Sequence, residues 1–241
     1  MKLDVTSSAA EVAYFELENT VAVVIDVLRA TTVITSAFEN GAKLIYPTVE
    51  VEEARALAKA LLASNPADKV LLAGERDALL IPGFDFSNSP LEFTRERVEN
   101  AQVVMTTTNG TRALNAAFKA DCTFVGCLRN ARAVANAIKS YNNVILICSG
   151  TVNRVDISDC MAAGAIMHEL EKLGVDIRLG DLARMCSDYF KLNSYEERIR
   201  VSVHGQRILG LGLEADMSYC CELNASDVVP VYDGEKIERQ F

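Results

Sequence analysis

The sequence predicts an α/β fold: a mainly parallel sheet with helices on both faces, with room for two lobes. Three observations carry this. Short apolar runs alternate with helix-like stretches along almost the whole chain, an alternation that implies strands joined by crossover helices. Several runs, such as Val21-Ala22-Val23-Val24-Ile25, are continuously apolar, as in strands buried on both faces. The stretches between them carry amphipathic stripes and helix stop signals.

Residues 21–25 read as the first strand. Residues 31–39 follow as a helix, closed by Asn40-Gly41. A short strand at 44–46 leads to an amphipathic helix at 49–62, with Val51, Ala54, Leu57, Ala58 and Leu61 on one face. Strands are expected at 69–73 and 103–106, then a helix at 111–118. A strand at 122–125 and a helix at 131–138 come next. A very apolar strand at 144–148 precedes a long helix at 158–172. Beyond Gly174 the pattern is mostly helical to Asp227. A late strand at 228–232 then turns at Asp233-Gly234 into 236–238. The longest irregular stretch, 74–90, is more often a site than a tether in a compact domain. With no repeat or flexible linker, residues 1–241 read as a single domain, with a lobe boundary near 90–102.

Composition narrows the function. Half of the 241 residues are hydrophobic, and the net charge of −9 argues against a broad basic surface for nucleic acid or anionic membrane. A local basic pocket is still allowed. No apolar stretch approaches the roughly 20 residues of a membrane span. Met1-Lys2-Leu3-Asp4-Val5 lacks a signal peptide's apolar core. Seven scattered cysteines without a C-x-x-C pair read as reduced thiols, so the expected location is cytoplasmic. The two histidines, His168 and His204, are too few for the common zinc hydrolase sites.

The chemistry-bearing residues cluster at predicted strand ends. Asp26 follows the first strand, with Arg29, Thr31 and Thr32 just beyond, at the sheet edge where α/β proteins bind ligands. Asp26 reads as a Mg²⁺ ligand or phosphoryl acceptor, Arg29 as an anion fork, and the threonines as parts of the same anion pocket. The bland alternative is a helix-capping Asp and an exposed Arg. The run superficially resembles the D-x-D-x-T start of haloacid dehalogenase-type phosphatases, but Leu28 occupies the second acidic position. Glu75, in Gly74-Glu75-Arg76, could complete a metal site with Asp26; a solvated Glu-Arg pair is the alternative. In the loop Gly83 to Pro90, Phe84 and Phe86 can anchor while Asp85 and Asn88 point inward; a plain Asx turn would look the same. Thr106 to Arg112, with Thr108, Asn109, Gly110, Thr111 and Arg112, reads as an anion cradle opening a helix. Cys148 reads as a buried structural thiol. Asp159 reads as an acid/base or metal ligand, although Asp156 and Asp159 could instead merely favour a helix N-terminus. His168 reads as structural, and His204 as a lesser site candidate.

Taken together and in this order, these motifs resemble the 2-phosphosulfolactate phosphatase family, from about residue 20 to the C-terminus. The match is carried by Asp26 to Thr32, Gly74-Glu75-Arg76, Gly83 to Pro90, Thr106 to Arg112 and Asp159 to Gly164. Members commonly read Gly-Glu-Arg-Gly-Gly, where this chain has Asp77 and Ala78 after Arg76, and often glycine at the Ser87 position. The resemblance implies a Mg²⁺-dependent hydrolase acting on 2-phospho-3-sulfolactate, on the route to coenzyme M; the alternatives are a phosphatase of another small phosphorylated hydroxy acid and a non-enzymatic anion-binding protein. The expected partner is a small anionic phosphorylated substrate, with neither nucleic acid nor membrane; a homo-oligomer is left open. Expected catalytic residues are Asp26, Glu75, Asp85 and Asp159. Mg²⁺ is expected on Asp26, Glu75 and Asp85. Substrate contacts are expected from Arg29, Thr31, Thr32, Asn88, Thr108, Asn109, Gly110, Thr111 and Arg112, with Arg76, Arg154 or Arg129 as a further cation.

Overall fold

The computed structural model describes residues 1–192 and 194–240. The chain runs β1 (Lys2–Thr6), β2 (Val21–Ile25), α1 (Ala30–Glu39), β3 (Leu44–Thr48), α2 (Val51–Ser64), β4 (Val70–Arg76) and β5 (Leu79–Leu80). It continues α3 (Arg95–Val98), β6 (Gln102–Thr106), α4 (Gly110–Ala116), β7 (Cys122–Gly126), α5 (Ala131–Ile138), β8 (Asn143–Cys148), α6 (Ile157–Lys172) and β9 (Arg178–Leu179). Then come α7 (Asp181–Lys191), α8 (Tyr195–Val201), α9 (Val203–Gly210), α10 (Glu214–Cys220), β10 (Val229–Tyr232) and β11 (Ile237–Gln240). The α/β architecture with a mostly parallel sheet is as expected from the sequence.

Among the described residues the sheet order is β5-β4-β6-β3-β11-β10-β7-β2-β8-β1-β9. Two blocks are parallel within themselves: β4-β6-β3, and β7-β2-β8-β1-β9. The C-terminal hairpin β10–β11 bridges them and runs antiparallel to both neighbours. The first block (44–106) is thus an insertion between β2 and β7 of the second. One apolar cluster packs Val23, Leu146 and Phe124 against α5, α6 and α7. The other packs Val24, Ile147 and Val103 under α1 and α4. Helices therefore cover both faces. β1 was not foreseen. It is a short alternating segment, Lys-Leu-Asp-Val-Thr, that pairs with β8 and β9 in register with Leu3↔Val144 and Leu3↔Leu179.

Five inter-strand steps separate β6 from β2 in the sheet, roughly 24 Å on a flat sheet at ~4.8 Å per strand. Their loops nevertheless touch. A Cβ built on Gly110, just after β6, would lie 2.5 Å from the Ala30 Cβ and 2.8 Å from Asp26 Oδ2, just after β2. The sheet therefore curls across the β10–β11 bridge and brings the carboxyl ends of the two blocks together. Only glycine fits at position 110, because any side chain would overlap Asp26. Among the described residues, no helix is long and apolar enough to cross a membrane.

Candidate active site

A cavity of about 100 Å³ opens where the loops after β2, β4, β6 and β8 meet, with α9 along one side. Asp26 reaches it directly from β2. Its main chain is clamped by Thr31, whose Oγ1 accepts the Asp26 N–H at 2.9 Å and donates to the Asp26 carbonyl at 2.8 Å. Thr32 Oγ1 likewise donates to the Val27 carbonyl at 2.9 Å. Both threonines are fully buried and directed at the backbone, so the expectation that they contact an anion is corrected: they fix the strand-to-helix turn. Among the described residues the Asp26 carboxylate itself receives one long hydrogen bond, from the Ala30 N–H at 3.4 Å. Burial raises its pKa to about 6. Asp156 and Glu75 add to the rise, and His204 opposes it.

Arg29 lines the same cavity. Its Nη1 donates to Asp216 Oδ2 at 2.6 Å, both side chains being buried, and its Nη2 donates to the Ala78 carbonyl at 3.3 Å. Ser89 Oγ donates to the other Asp216 oxygen at 2.7 Å. Glu75, at the end of β4, is the organiser of two loops. Its Oε1 accepts the Thr108 N–H at 2.8 Å and the Thr108 hydroxyl at 2.9 Å, and its Oε2 accepts the Ala78 N–H at 2.8 Å. Thr107, Thr108 and Asn109 line the cavity beside it. Asn88 is also there, its Oδ1 buried and without a hydrogen-bond partner among the described residues.

Other expected residues lie elsewhere. Asp85 is exposed, because its neighbours Phe84 and Phe86 take the inward positions; its Oδ2 accepts the Leu72 N–H at 2.8 Å. It does not reach the cavity, which corrects its place in the metal set. Arg112 projects to solvent from α4. Thr111 is buried and turned to Thr107, donating its hydroxyl to the Thr107 carbonyl at 2.9 Å. Asp159 lies behind the cavity. It accepts the Val27 N–H at 2.9 Å and the Gly150 N–H and Ser149 hydroxyl at 3.1 Å, tying the ends of β2 and β8 together. Burial, with Asp156 and Asp26 nearby, pushes its pKa well up. Arg76 holds the Val49 carbonyl at 2.8 Å. Arg129 pairs with Glu39 and Glu222 and stacks on Tyr219. Arg154 is exposed on a neighbouring apolar groove.

Besides Arg29, the cation that borders the cavity is Arg207, on α9, which pairs with Asp77 at 3.4 Å across the rim. One turn earlier, His204 lines the cavity too. Its Nδ1 lies 2.6 Å from Asp156 Oδ2 and 3.1 Å from Thr151 Oγ1. Asp156 also caps α6, accepting the Ser158 N–H at 2.9 Å. Burial disfavours its charge, but the hydrogen bond and charge of His204, with Ser158 and Thr151, bring its pKa down to about 2. For His204 burial opposes the charged ring, and Asp156 outweighs it, raising the pKa. Asp216 and Arg207 went unnoticed in the sequence; an Arg three residues after a His on a polar helix was the available signal.

Among the described residues no three His, Cys, Asp or Glu side chains gather as a metal cluster. The cavity still offers oxygen atoms in need of a cation or donor: the sparsely bonded Asp26 carboxylate, the orphaned Asn88 Oδ1 and the remaining lone pair of Glu75 Oε2. That donor chemistry suits Mg²⁺, which takes one or two carboxylates and keeps waters or substrate oxygens for the rest.

Carboxylates set among cations, hydroxyls and amides at the carboxyl ends of parallel strands are the equipment of an α/β enzyme that works on small phosphorylated anions, a phosphoric monoester hydrolase. The family model described as 2-phosphosulpholactate phosphatase matches residues 7–235. A "Probable 2-phosphosulfolactate phosphatase" of Clostridium perfringens (strain SM101 / Type A) is 45% identical over 231 residues, covering 95% of this chain and 92% of the relative. One of the same description from Clostridium novyi (strain NT) is 38% identical, covering 99% and 100%. Another from Caldanaerobacter subterraneus subsp. tengcongensis is 42% identical, covering 86% of each. The chain belongs to the 2-phosphosulfolactate phosphatase family.

Proposed function

We propose that this protein hydrolyses 2-phospho-3-sulfolactate to 3-sulfolactate and phosphate with Mg²⁺ as cofactor, a reaction of the coenzyme M biosynthetic type. The observation that carries the reading is Asp26: a buried carboxylate with one long hydrogen bond, in a cavity shared with Arg29, Thr108, Asn109 and His204. Family membership and the names of the relatives support the substrate. Asp26, Glu75 and Asn88 would hold Mg²⁺, which when bound supplies positive charge against that developing on the phosphoryl group.

The chain's own groups do the rest. The Thr107 hydroxyl and the Asn109 side-chain amide donate to phosphate oxygens, while Thr108 is held by Glu75. Arg29 and Arg207, both lining the cavity, serve the other anionic ends of a substrate that carries carboxylate and sulfonate as well. Either water or Asp26 attacks phosphorus. Two cations at the cavity explain how a protein of net charge −9 holds a multiply charged anion: the positive field is local. Thr31, Thr32 and Asp159 keep the Asp26 turn rigid.

The test is phosphate release from a panel of phosphorylated hydroxy acids with and without Mg²⁺. The reading requires 2-phospho-3-sulfolactate to be turned over fastest and only with the metal. Faster release from another phosphorylated acid would overturn the substrate assignment, and metal-independent release would overturn the cofactor.

A further inference from the structure

His204 has no task in the reaction described so far, yet its surroundings are built around it. The ring comes from α9 and meets the β8–α6 loop. Nδ1 is engaged by Asp156 Oδ2 at 2.6 Å and by Thr151 Oγ1 at 3.1 Å. Among the described residues Nε2 has no hydrogen-bond partner, and the ring forms part of the cavity wall with Asp26 and Thr108. Asp156 is almost wholly buried and is itself fixed by Ser158 and by the Thr151 hydroxyl at 2.6 Å. A buried carboxylate held by several donors orients an imidazole by accepting Nδ1–H, which leaves Nε2 as the ring nitrogen free to give a proton.

We propose that His204 is the catalytic acid that protonates the leaving hydroxyl oxygen of the substrate, and that Asp156 is the residue that positions its ring. The proposal rests on the phosphatase reading above. A phosphate ester of a hydroxy acid leaves as a strongly basic alkoxide unless a proton reaches it. General acids of this kind contribute about 10²–10⁴-fold. As the attacking oxygen bonds to phosphorus, the P–O bond to the hydroxy acid breaks and its electron pair stays on the departing oxygen. That oxygen takes the Nε2 proton, and His204 becomes neutral. The water that supplies the new P–OH gives up its second proton, which returns to His204 through solvent, so none is consumed. Burial and Arg207, three residues on along α9, oppose the cationic ring, and the hydrogen bond and charge of Asp156 at Nδ1 outweigh them.

The alternative is a purely structural His204 that pins α9 to the β8–α6 loop. Leaving-group dependence separates the two. His204→Gln and Asp156→Asn are assayed in the full chain with Mg²⁺, on 2-phospho-3-sulfolactate and on an aryl phosphate whose phenolate departs without a proton. Inorganic phosphate as inhibitor reports whether the pocket survives. For His204→Gln the expected result is a fall in kcat of about 10²-fold or more on the alkyl ester. The same variant should lose only severalfold on the aryl ester, with KM and phosphate inhibition little changed. Asp156→Asn should show the same selectivity with a smaller loss. Equal loss on both esters, a loss confined to KM, or no loss would overturn the proposal. No phosphate release from 2-phospho-3-sulfolactate by the unaltered protein would overturn the substrate reading instead, while the aryl ester and any other alkyl ester turned over still report on His204.

Discussion

Arg29 and Asp216 lie 187 positions apart and form a buried ion pair, with Nη1 2.6 Å from Oδ2. The pair joins the turn after β2 to α10, and through Ser89 it also holds the loop that carries Asn88. Removing one partner leaves the other charge buried and unpaired, which costs about 3–5 kcal/mol. Asp216→Ala should therefore lower stability by that order in urea denaturation. It should also raise KM, because Arg29 loses its orientation.

Asp26 should stabilise the fold when its charge is removed. Its folded pKa of about 6 lies above the usual 3.8, so ionisation is disfavoured in the native state. The cost is fully present above about pH 6 and is relieved as pH falls toward 4. At pH 7 it amounts to as much as about 3 kcal/mol. Asp26→Asn should raise Tm at pH 7 while abolishing turnover, the trade expected of a working residue. The gain should shrink when both proteins are melted at pH 4.

Asp156 has the opposite sign. Its folded pKa of about 2 lies below 3.8, so its contribution, about 2 kcal/mol, is present above pH 4 and is lost as pH falls from 4 toward 2. Urea midpoints of the wild type and Asp156→Asn should differ clearly at pH 5 and converge near pH 2.

The hairpin turn over the cavity carries strain. β4 and β5 pair Arg76 with Leu79, leaving Asp77 and Ala78 as a two-residue turn with φ of 57° and 65°. Type I′ turns of this kind favour Asn-Gly or Gly-Gly, and an alanine there costs roughly 1–2 kcal/mol. Ala78→Gly should raise stability by about 1 kcal/mol by thermal denaturation, part of the relief being offset by the freer unfolded chain.

Metal binding has a readout without substrate. If Asp26, Glu75 and Asn88 hold Mg²⁺, saturating metal should raise the melting temperature, corresponding to about 2.7 kcal/mol at a hundredfold excess over Kd. Asp26→Asn should abolish the rise, and Asp85→Asn, remote from the cavity, should retain it.

What the sequence made legible was local. Buried parallel strands announce themselves as apolar runs, and polar groups at their ends must lie at the sheet edge, so Asp26, Glu75, Thr108 and Asn109 could be placed without coordinates. Side-chain direction was not legible. Asp85 is turned outward by the alternation that buries Phe84 and Phe86, and Thr31 and Thr32 satisfy the backbone of the turn they belong to. The remaining wall depends on distant pairing. His204, Arg207 and Asp216 come from a helical segment whose pattern resembles any surface helix, and nothing near Arg29 in the chain reports a partner on α10. β1 was hidden because five alternating residues at the start of a chain carry little signal.

The most direct test of the central claim is single-turnover phosphate release from 2-phospho-3-sulfolactate, at saturating Mg²⁺, by the wild-type protein and by Asp26→Asn. The account predicts release by the wild type and a loss of at least about a thousandfold in the variant, with a fold at least as stable. Comparable release by the two proteins would contradict it.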